Sequence, residues 1–387
     1  MTSYEQFLEK KKIQIHTSGF DVDTNTLSPK LFDFQKDIVR WALRKGKACI
    51  FADCGLGKTA MQLEWAHQVC QNTFGDVLIV APLAVAEQTK REGEKFSIPV
   101  TMCRAQADVR PGINITNYEM LQHFDASKFI GVVLDESSIL KHFNSKMRTL
   151  IIDGFADIEY KLACTATPAP NDYMELGNHS EFVGAMTRTE MLSMFFVHDG
   201  GNTSKWRLKG HAEDVFWKWM TTWAVVIQNP RDLQYDVDGY DLPELRVYEE
   251  VVVTGGELAK TLTERRNARK ETLQERCQKA AEIANSIDGQ VLIWCDLNAE
   301  SELLTKLIGG AVEVKGSDKP QHKTDSIVRF AKGEIKALVT KPSIAGFGIN
   351  WQNCSDMIFV GMSDSYEQYY QAIRRCWRFG QEKPVDV

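Results

Sequence analysis

No Cys-x-x-Cys pair occurs in this chain, no apolar run approaches the length needed to cross a bilayer, and no repeat or low-complexity tract interrupts it. Each absence removes a class of function. The nine cysteines stand singly, at 49, 54, 70, 103, 164, 277, 295, 354 and 376. That spacing speaks against a zinc site, and an odd count in a large chain suits a reducing cytosol. Cys49 and Cys164 fall in apolar runs and are expected to be small core residues. Without a long apolar segment, a membrane role is not expected. The opening Met1-Thr2-Ser3-Tyr4-Glu5 has no apolar stretch behind it, so no secretory signal is expected and a cytoplasmic location is. An excess of positive charge is missing too: the net charge is −6. This argues against tight, static binding to nucleic acid. It does not exclude a protein that binds nucleic acid transiently, for which a modest local set of phosphate contacts is enough.

What is present is the composition of a soluble globular protein, 43% hydrophobic and 25% charged, in 387 residues, a length that suits two domains. Short, nearly continuous apolar runs lie at 48–52, 77–80, 113–116, 132–134 and 162–165, and again at 291–294, 312–314, 337–340 and 357–360. Such runs are expected of parallel strands buried on both faces. Helical stretches separate them, so the pattern predicts an α/β fold twice over. The expected domains are 1–245 and 246–387, with 229–245, rich in aspartate and holding two prolines, as the linker. Within the first domain an insertion is expected: a hairpin over 194–208 around Asp199-Gly200-Gly201-Asn202, then a helix. On that helix Phe216, Trp219, Met220 and Trp223 recur at helical spacing. An aromatic stripe can stack nucleic-acid bases, but a packed helix face is the expected reading.

The run 48–52 leads into Ala52-Asp53-Cys54-Gly55-Leu56-Gly57-Lys58-Thr59 and then a helix. This is a phosphate-binding loop with Ala52 in place of the first glycine. Gly55 and Gly57 let backbone N–H groups curl around phosphates, and the helix N-terminus adds a favourable field. Lys58 reaches the β/γ oxygens and Thr59 holds Mg²⁺. The other half of an ATP site is expected at a second strand end, where Asp135-Glu136 follows Gly131-Val132-Val133-Leu134. One carboxylate, Asp135, would hold Mg²⁺ while Glu136 polarises the attacking water. Alone, such a pair is usually a solvated loop; its place after a phosphate-binding loop makes it informative.

From here the chain resembles superfamily 2 helicases, and within them the Swi/Snf-type translocases, over nearly its whole length from about Leu31. Leu31-Phe32-Asp33-Phe34-Gln35 looks like the Q motif, whose glutamine reads adenine. Pro82 with 88–92 looks like motif Ia, and Thr116-Asn117-Tyr118-Glu119 like motif Ib. Asp135-Glu136-Ser137-Ser138-Ile139-Leu140-Lys141, with Ser145-Lys146, looks like motif II and its extension. Thr165-Ala166-Thr167-Pro168, then Asn171 and Glu175-Leu176, look like motif III and the segment after it. In the second half, 291–294 with Asn298 looks like motif IV, the segment from Lys341 to Asn350 like motif V, and Gln371 to Gln381 like motif VI.

The resemblance implies two tandem RecA-like lobes with parallel sheets, and a DNA-dependent ATPase using ATP and Mg²⁺. It implies movement on duplex DNA; a strand-separating helicase, and a nucleotide-gated binding protein without hydrolysis, are the rival readings. It places arginine fingers at Arg375 and Arg378, with Gln371 beside the nucleotide. At helical spacing these three residues would share one face. Nucleic-acid contacts are expected from Lys90, Thr116, Asn117, Ser343 and Asn350. The compact form resembles the small motors of bacteriophages and prophages more than a chromatin remodeller, and a monomer is expected. Two departures stand out. Ser138 replaces the histidine of the DEAH-like pattern, which couples the ATP site to motif III. Pro384-Val385-Asp386-Val387 reads as the start of a strand that has been cut.

Overall fold

The computed structural model describes residues 17–141, 146–199, 202–255, 260–345 and 350–387. Ser145, the hairpin tip at Gly200-Gly201, the centre of the motif V segment at 346–349 and the first residues of the chain lie outside the described residues. The chain forms two compact units that divide between Asp236 and Val237. That point lies inside the expected linker but earlier than the expected 245/246 boundary, because both ends of the stretch belong to folded units. Asn229 caps a short 3₁₀ turn, Pro230–Leu233, by accepting the N–H of Arg231. The Tyr235 hydroxyl bonds the Asp37 carboxylate of the first unit. At the other end Leu245 pairs with Val385 in the second unit.

The strands of the first unit are β1 (Lys47–Ala52), β2 (Val77–Ala81), β3 (Val100–Met102), β4 (Ile113–Asn117), β5 (Gly131–Asp135), β6 (Tyr160–Thr165) and β9 (Ala224–Ile227), with β7 (Phe196–Asp199) and β8 (Asn202–Leu208) apart from them. Seven make one sheet in the order β3-β4-β2-β5-β6-β1-β9. Every pairing in it is parallel. β1, β2, β5 and β6 are buried almost throughout, as strands covered on both faces must be. Helices α1 (Asp33–Lys45), α2 (Lys58–Thr73), α3 (Leu83–Phe96), α4 (Lys146–Gly154), α5 (Leu176–Val183), α6 (Arg188–Phe195) and α7 (Glu213–Met220) complete the unit. The five expected strands are present. β3 and β9 were not expected: β3 is only three residues long, and β9 follows an apolar helix with no glycine or proline to mark the change of period.

The second unit holds β10 (Leu245–Arg246), β11 (Val291–Trp294), β12 (Ala311–Glu313), β13 (Ala337–Thr340), β14 (Asp356–Phe359) and β15 (Val385–Asp386), with helices α8 (Leu262–Glu271), α9 (Leu273–Ser286), α10 (Asn298–Leu307), α11 (Pro320–Ala331), α12 (Pro342–Ala345) and α13 (Tyr366–Ile373). Its sheet runs β10-β15-β14-β11-β13-β12, again parallel at every pair. β12 and β14 each begin one residue earlier than the apolar runs implied. The α/β architecture in two tandem units is thus the one expected. Among the described residues no helix is long and apolar enough to cross a membrane.

The insertion differs in detail from its expectation. Thr187 and Glu190 form a capping box that starts α6, and the helix runs through Met194 to Phe195. The antiparallel hairpin therefore begins only at Phe196. The side chains of Phe216, Trp219, Met220 and Trp223 are buried, so the aromatic stripe is packed as expected, but α7 ends at Met220 and Trp223 lies in the turn after it rather than on the helix. Trp219 sits at the centre of the stripe, with ring centroids 5.2 Å from Phe195, 5.7 Å from Phe216 and 5.3 Å from Trp223. Truncating a fully buried aromatic of this kind costs about 3–5 kcal/mol. Trp219→Ala should lower the stability of the first unit by that order in a urea titration; a loss below about 1 kcal/mol would mean that the insertion does not share the unit's core.

Candidate active site

Because β1, β6 and β5 are adjacent and parallel, their C-terminal ends lie along one edge of the sheet, the place where α/β sheets bind ligands. The loop after β1 carries Gly55 and Gly57 at φ +94° and +79°, a left-handed backbone that glycine adopts without steric cost. At Gly57 there is a second reason: an added Cβ would lie 2.2 Å from Gln35 Nε2. Gln35, in the first turn of α1, is buried. Its Oε1 accepts the Phe32 N–H at 3.0 Å and its Nε2 donates to the Leu56 carbonyl at 2.9 Å. The Q-motif residue and the phosphate-binding loop are therefore one hydrogen-bonded piece. Gly57 ends the loop as the N-cap of α2, and Lys58 follows. The Lys58 ammonium donates to the Ala52 carbonyl at 2.8 Å and the Asp53 carbonyl at 3.3 Å, within its own loop.

Asp135 ends β5 and is 3% exposed. Burial raises its pKa; the Gln62 hydrogen bond, the Lys58 charge and the Glu136 N–H pull it back down. Its Oδ1 accepts from Gln62 Nε2 at 2.8 Å and from the Glu136 N–H at 3.0 Å. The Tyr118 hydroxyl donates to the Asp135 carbonyl at 2.7 Å. Gln62 lies one turn beyond Thr59 on α2, so hydroxyl and amide share a face of that helix. Glu136 itself stands at φ +53°, a conformation that costs a non-glycine residue on the order of 1–2 kcal/mol and that clusters at functional sites. On its other side Ser137 Oγ lies 3.0 Å from His179 Nε2, both groups fully buried. The expected ATP-site residues of the first unit, Gln35, Gly55, Gly57, Lys58, Thr59, Asp135 and Glu136, thus fall on this one edge.

Gln62, Tyr118 and His179 were missed as site residues. Gln62 was legible in principle from its spacing to Thr59, and Tyr118 from its place beside Asn117. Nothing local marked His179, which lies 42 residues from its partner.

Motif VI departs from its expectation. Gln371 lies on α13, but the helix ends at Ile373, and Arg375 and Arg378 follow it in turns. The three residues do not share one helical face. No glycine or proline stops this helix; its end tightens as the N–H groups of Arg375 and Cys376 donate three residues back, to Ala372 and Ile373, and tertiary hydrogen bonds hold the turns that follow. Trp351 N–H donates to the Arg375 carbonyl at 2.8 Å, Gln381 Nε2 to that of Cys376 at 3.2 Å, and Trp377 Nε1 to that of Pro243 at 2.7 Å. Arg375 is buried with Nε donating to the Gln371 carbonyl at 2.8 Å, and Arg378 is half-buried. Gln371 is 1% exposed and neither atom of its amide group finds a hydrogen-bond partner within the described protein.

The candidate nucleic-acid residues are scattered in character. Lys90 is half-buried on α3, and Ser343 and Asn350 are exposed on either side of the undescribed 346–349. Thr116 is buried in β4, an inner strand. The Asn117 side chain accepts the Met120 N–H and caps the turn after β4. Just after the hairpin, Lys209 donates to the carbonyls of Ser193 and Met194 at the end of α6. Trp206 packs on His198 at 3.7 Å.

Comparison with known families finds an SNF2-related domain over residues 34–187 and a helicase conserved C-terminal domain over 272–380. Among curated proteins no relative matches. Among solved structures, the Sulfolobus solfataricus SWI2/SNF2 ATPase core in complex with dsDNA is similar at 17% identity and a TM-score of 0.50, covering 95% of this chain and 88% of that one. At that identity the likeness is one of fold.

The buried His179 gives the site a pH dependence. Burial lowers its pKa to about 4, against a smaller upward pull from the backbone of Glu175 and Ser137. An unfolded histidine titrates near about 6.5. Between those values the unfolded state takes up the proton and the folded state does not, so stability contributed by the neutral ring is complete above about pH 6.5 and declines as pH falls toward about 4. His179→Gln should lose less stability than the wild type between about pH 7 and about pH 5 in thermal melts; parallel curves would refute the assignment.

Proposed function

The chain belongs to the SNF2-like helicases of superfamily 2, carrying their two characteristic domains in order, and on that premise we propose that it is a DNA-dependent ATPase that moves along duplex DNA. The observation that carries the ATPase reading is the single sheet edge on which the Gln35-bonded phosphate loop and the Gln62-held Asp135 meet. In this reading Gln35 reads adenine and the N–H groups around Gly55 and Gly57 take the phosphates. Lys58 exchanges its two carbonyl partners for β/γ oxygens. Glu136 orients the attacking water, its backbone held so that the carboxylate need not search for its place. Gln371, Arg375 and Arg378 serve the γ-phosphate; a finger of this kind is worth about 10³–10⁵ in rate.

Thr59 and Asp135 fit Mg²⁺. They are a hydroxyl and a carboxylate, the oxygen donors that this hard cation takes alongside water and substrate phosphates. Among the described residues no group of three His, Cys, Asp or Glu forms a dedicated cage for another metal. When bound, Mg²⁺ supplies charge neutralisation on the phosphates.

DNA as partner is supported by the SNF2-related domain and by the fold's likeness to an ATPase core solved on dsDNA. Translocation without strand separation is supported by the hairpin. A wedge must hold a fork open against about 1.4 kcal/mol per base-pair step. Here Lys209 is tied back to α6 and Trp206 is packed against His198, leaving neither free to probe a fork.

ATPase rates measured with no nucleic acid, single-stranded DNA, duplex DNA and RNA test the reading: duplex DNA should stimulate most. Glu136→Gln should keep ATP affinity and lose nearly all turnover; equal loss of both would remove Glu136 from its role. ATP-dependent displacement of a third strand from a triplex, abolished in Lys58→Ala, is the expected motor activity. Unwinding of a tailed duplex with no triplex displacement would replace this reading with the strand-separating one.

A further inference from the structure

The departure at Ser138 raises the question of how the Glu136 turn is tied to the segment after Thr165-Ala166-Thr167-Pro168. Ser138 is buried, and the contact to that segment falls one residue earlier. Ser137 Oγ meets His179 Nε2 at 3.0 Å, and His179 belongs to α5, the first α-helix after that segment. The neighbouring Asn178 donates its Nδ2 to the Leu140 carbonyl at 2.5 Å, so two successive residues of α5 clamp both ends of the 3₁₀ turn Ser137–Lys141. The His179 ring also packs edge-on against Phe51, centroids 5.2 Å apart, and Phe51 stands one residue before Ala52 and the phosphate loop. Where α5 begins, Asn171 Nδ2 donates to Glu175 Oε1 at 2.8 Å, tying the helix start to the loop before it.

A histidine on the interior face of a short helix is by default a core residue. Three features set this one apart. Its polar contact is to the residue beside Glu136; it touches the strand that feeds the phosphate loop; and the backbone it steadies is strained, with Glu136 at φ +53°. Gln62 and Tyr118 hold the Asp135 side of that strained residue. His179 and Asn178 hold the turn on its other side.

We propose that His179 is a positioning residue: through Ser137 it holds the turn that carries Glu136, and so couples the hydrolytic carboxylate to the segment after Thr165-Ala166-Thr167-Pro168, the task that the replaced histidine of the DEAH-like pattern would have performed. The inference rests on the reading of Glu136 as the residue that orients water. Since His179 is fully buried and its polar contact is to Ser137, its loss should act on turnover and not on nucleotide affinity.

The test compares His179→Leu, Ser137→Ala, their double variant and His179→Asn in the full chain, reading kcat and KM for ATP with duplex DNA, binding of a fluorescent ATP analogue, and Tm. Loss of a supporting residue of this kind costs about 10–100-fold. His179→Leu and Ser137→Ala should each lower kcat on that scale, with analogue binding within about threefold of wild type. The double variant should be no worse than the worse single, as for residues acting as a unit, and His179→Asn, which keeps a hydrogen-bonding atom, should recover part of the loss. Wild-type kcat in Ser137→Ala, or additive losses in the double variant, would overturn the proposal. So would loss of binding and kcat together. If His179→Leu does not fold, Ser137→Ala alone decides, since removing one hydroxyl leaves the packing intact. A wild-type protein that hydrolyses no ATP would overturn the reading of the site and this inference with it, whereas an active wild type with an unaffected Ser137→Ala overturns this inference alone.

Discussion

Asp135 is a carboxylate taken out of water at the end of an inner strand. Burial works against its charge, and an ionised group so placed persists only if it is hydrogen-bonded. Gln62 and the Glu136 N–H supply those bonds, with the Lys58 charge nearby. Meeting that requirement shapes the neighbourhood. It fixes which face α2 turns to the sheet, because Gln62 must reach β5. The Tyr118 hydroxyl separately braces the backbone there by donating to the Asp135 carbonyl. The same requirement also directs the backbone at Glu136, whose N–H points back to the Asp135 carboxylate while its φ goes positive.

A strained residue persists only where its surroundings over-determine it. Around Glu136 the restraints come from elements distant in sequence: α2 through Gln62, the turn after β4 through Tyr118, and α5 through Asn178 and His179, all acting on the end of β5 and the turn after it. The phosphate loop is braced in the same manner by Gln35 of α1. The site is preorganised by hydrogen bonds between elements as well as within its loops, which is the condition under which electrostatic stabilisation of a transition state needs no further ordering. In the second unit the turns after α13 are held by bonds of the same kind. Backbone and side-chain donors of Trp351 and Gln381 take carbonyls that a longer helix would have used, and Trp377 is drawn to Pro243. Motif VI becomes a set of tertiary-bonded turns with Arg375 inside.

The parts of this protein legible from sequence are those whose physics is local. A parallel strand covered on both faces needs an unbroken apolar run, so β1, β2, β4, β5, β6, β11 and β13 can be read from composition over a few residues. A phosphate loop needs glycines at positive φ followed by a helix start, and Gly55, Gly57 and Lys58 stand in that order. A buried helix face needs apolar residues at helical spacing, and Phe216, Trp219 and Met220 have it. Matters that local pattern could not decide were settled by contacts between distant residues. Helical spacing placed Gln371, Arg375 and Arg378 on one face, but the chain leaves the helix at Ile373, and Trp351 and Gln381 hold the turns that follow by taking the carbonyls of Arg375 and Cys376. Lys209 reads as a free cation until α6 presents carbonyls to it. Ser138 marks a missing histidine, while the histidine that meets the same turn, His179, is 42 residues from its partner and visible only once α5 packs against β6, β1 and the turn after β5. Sequence determines which side chains and turns are available at each point; only the packed fold determines which of their hydrogen bonds are made, because each such bond needs a partner that chain proximity does not supply.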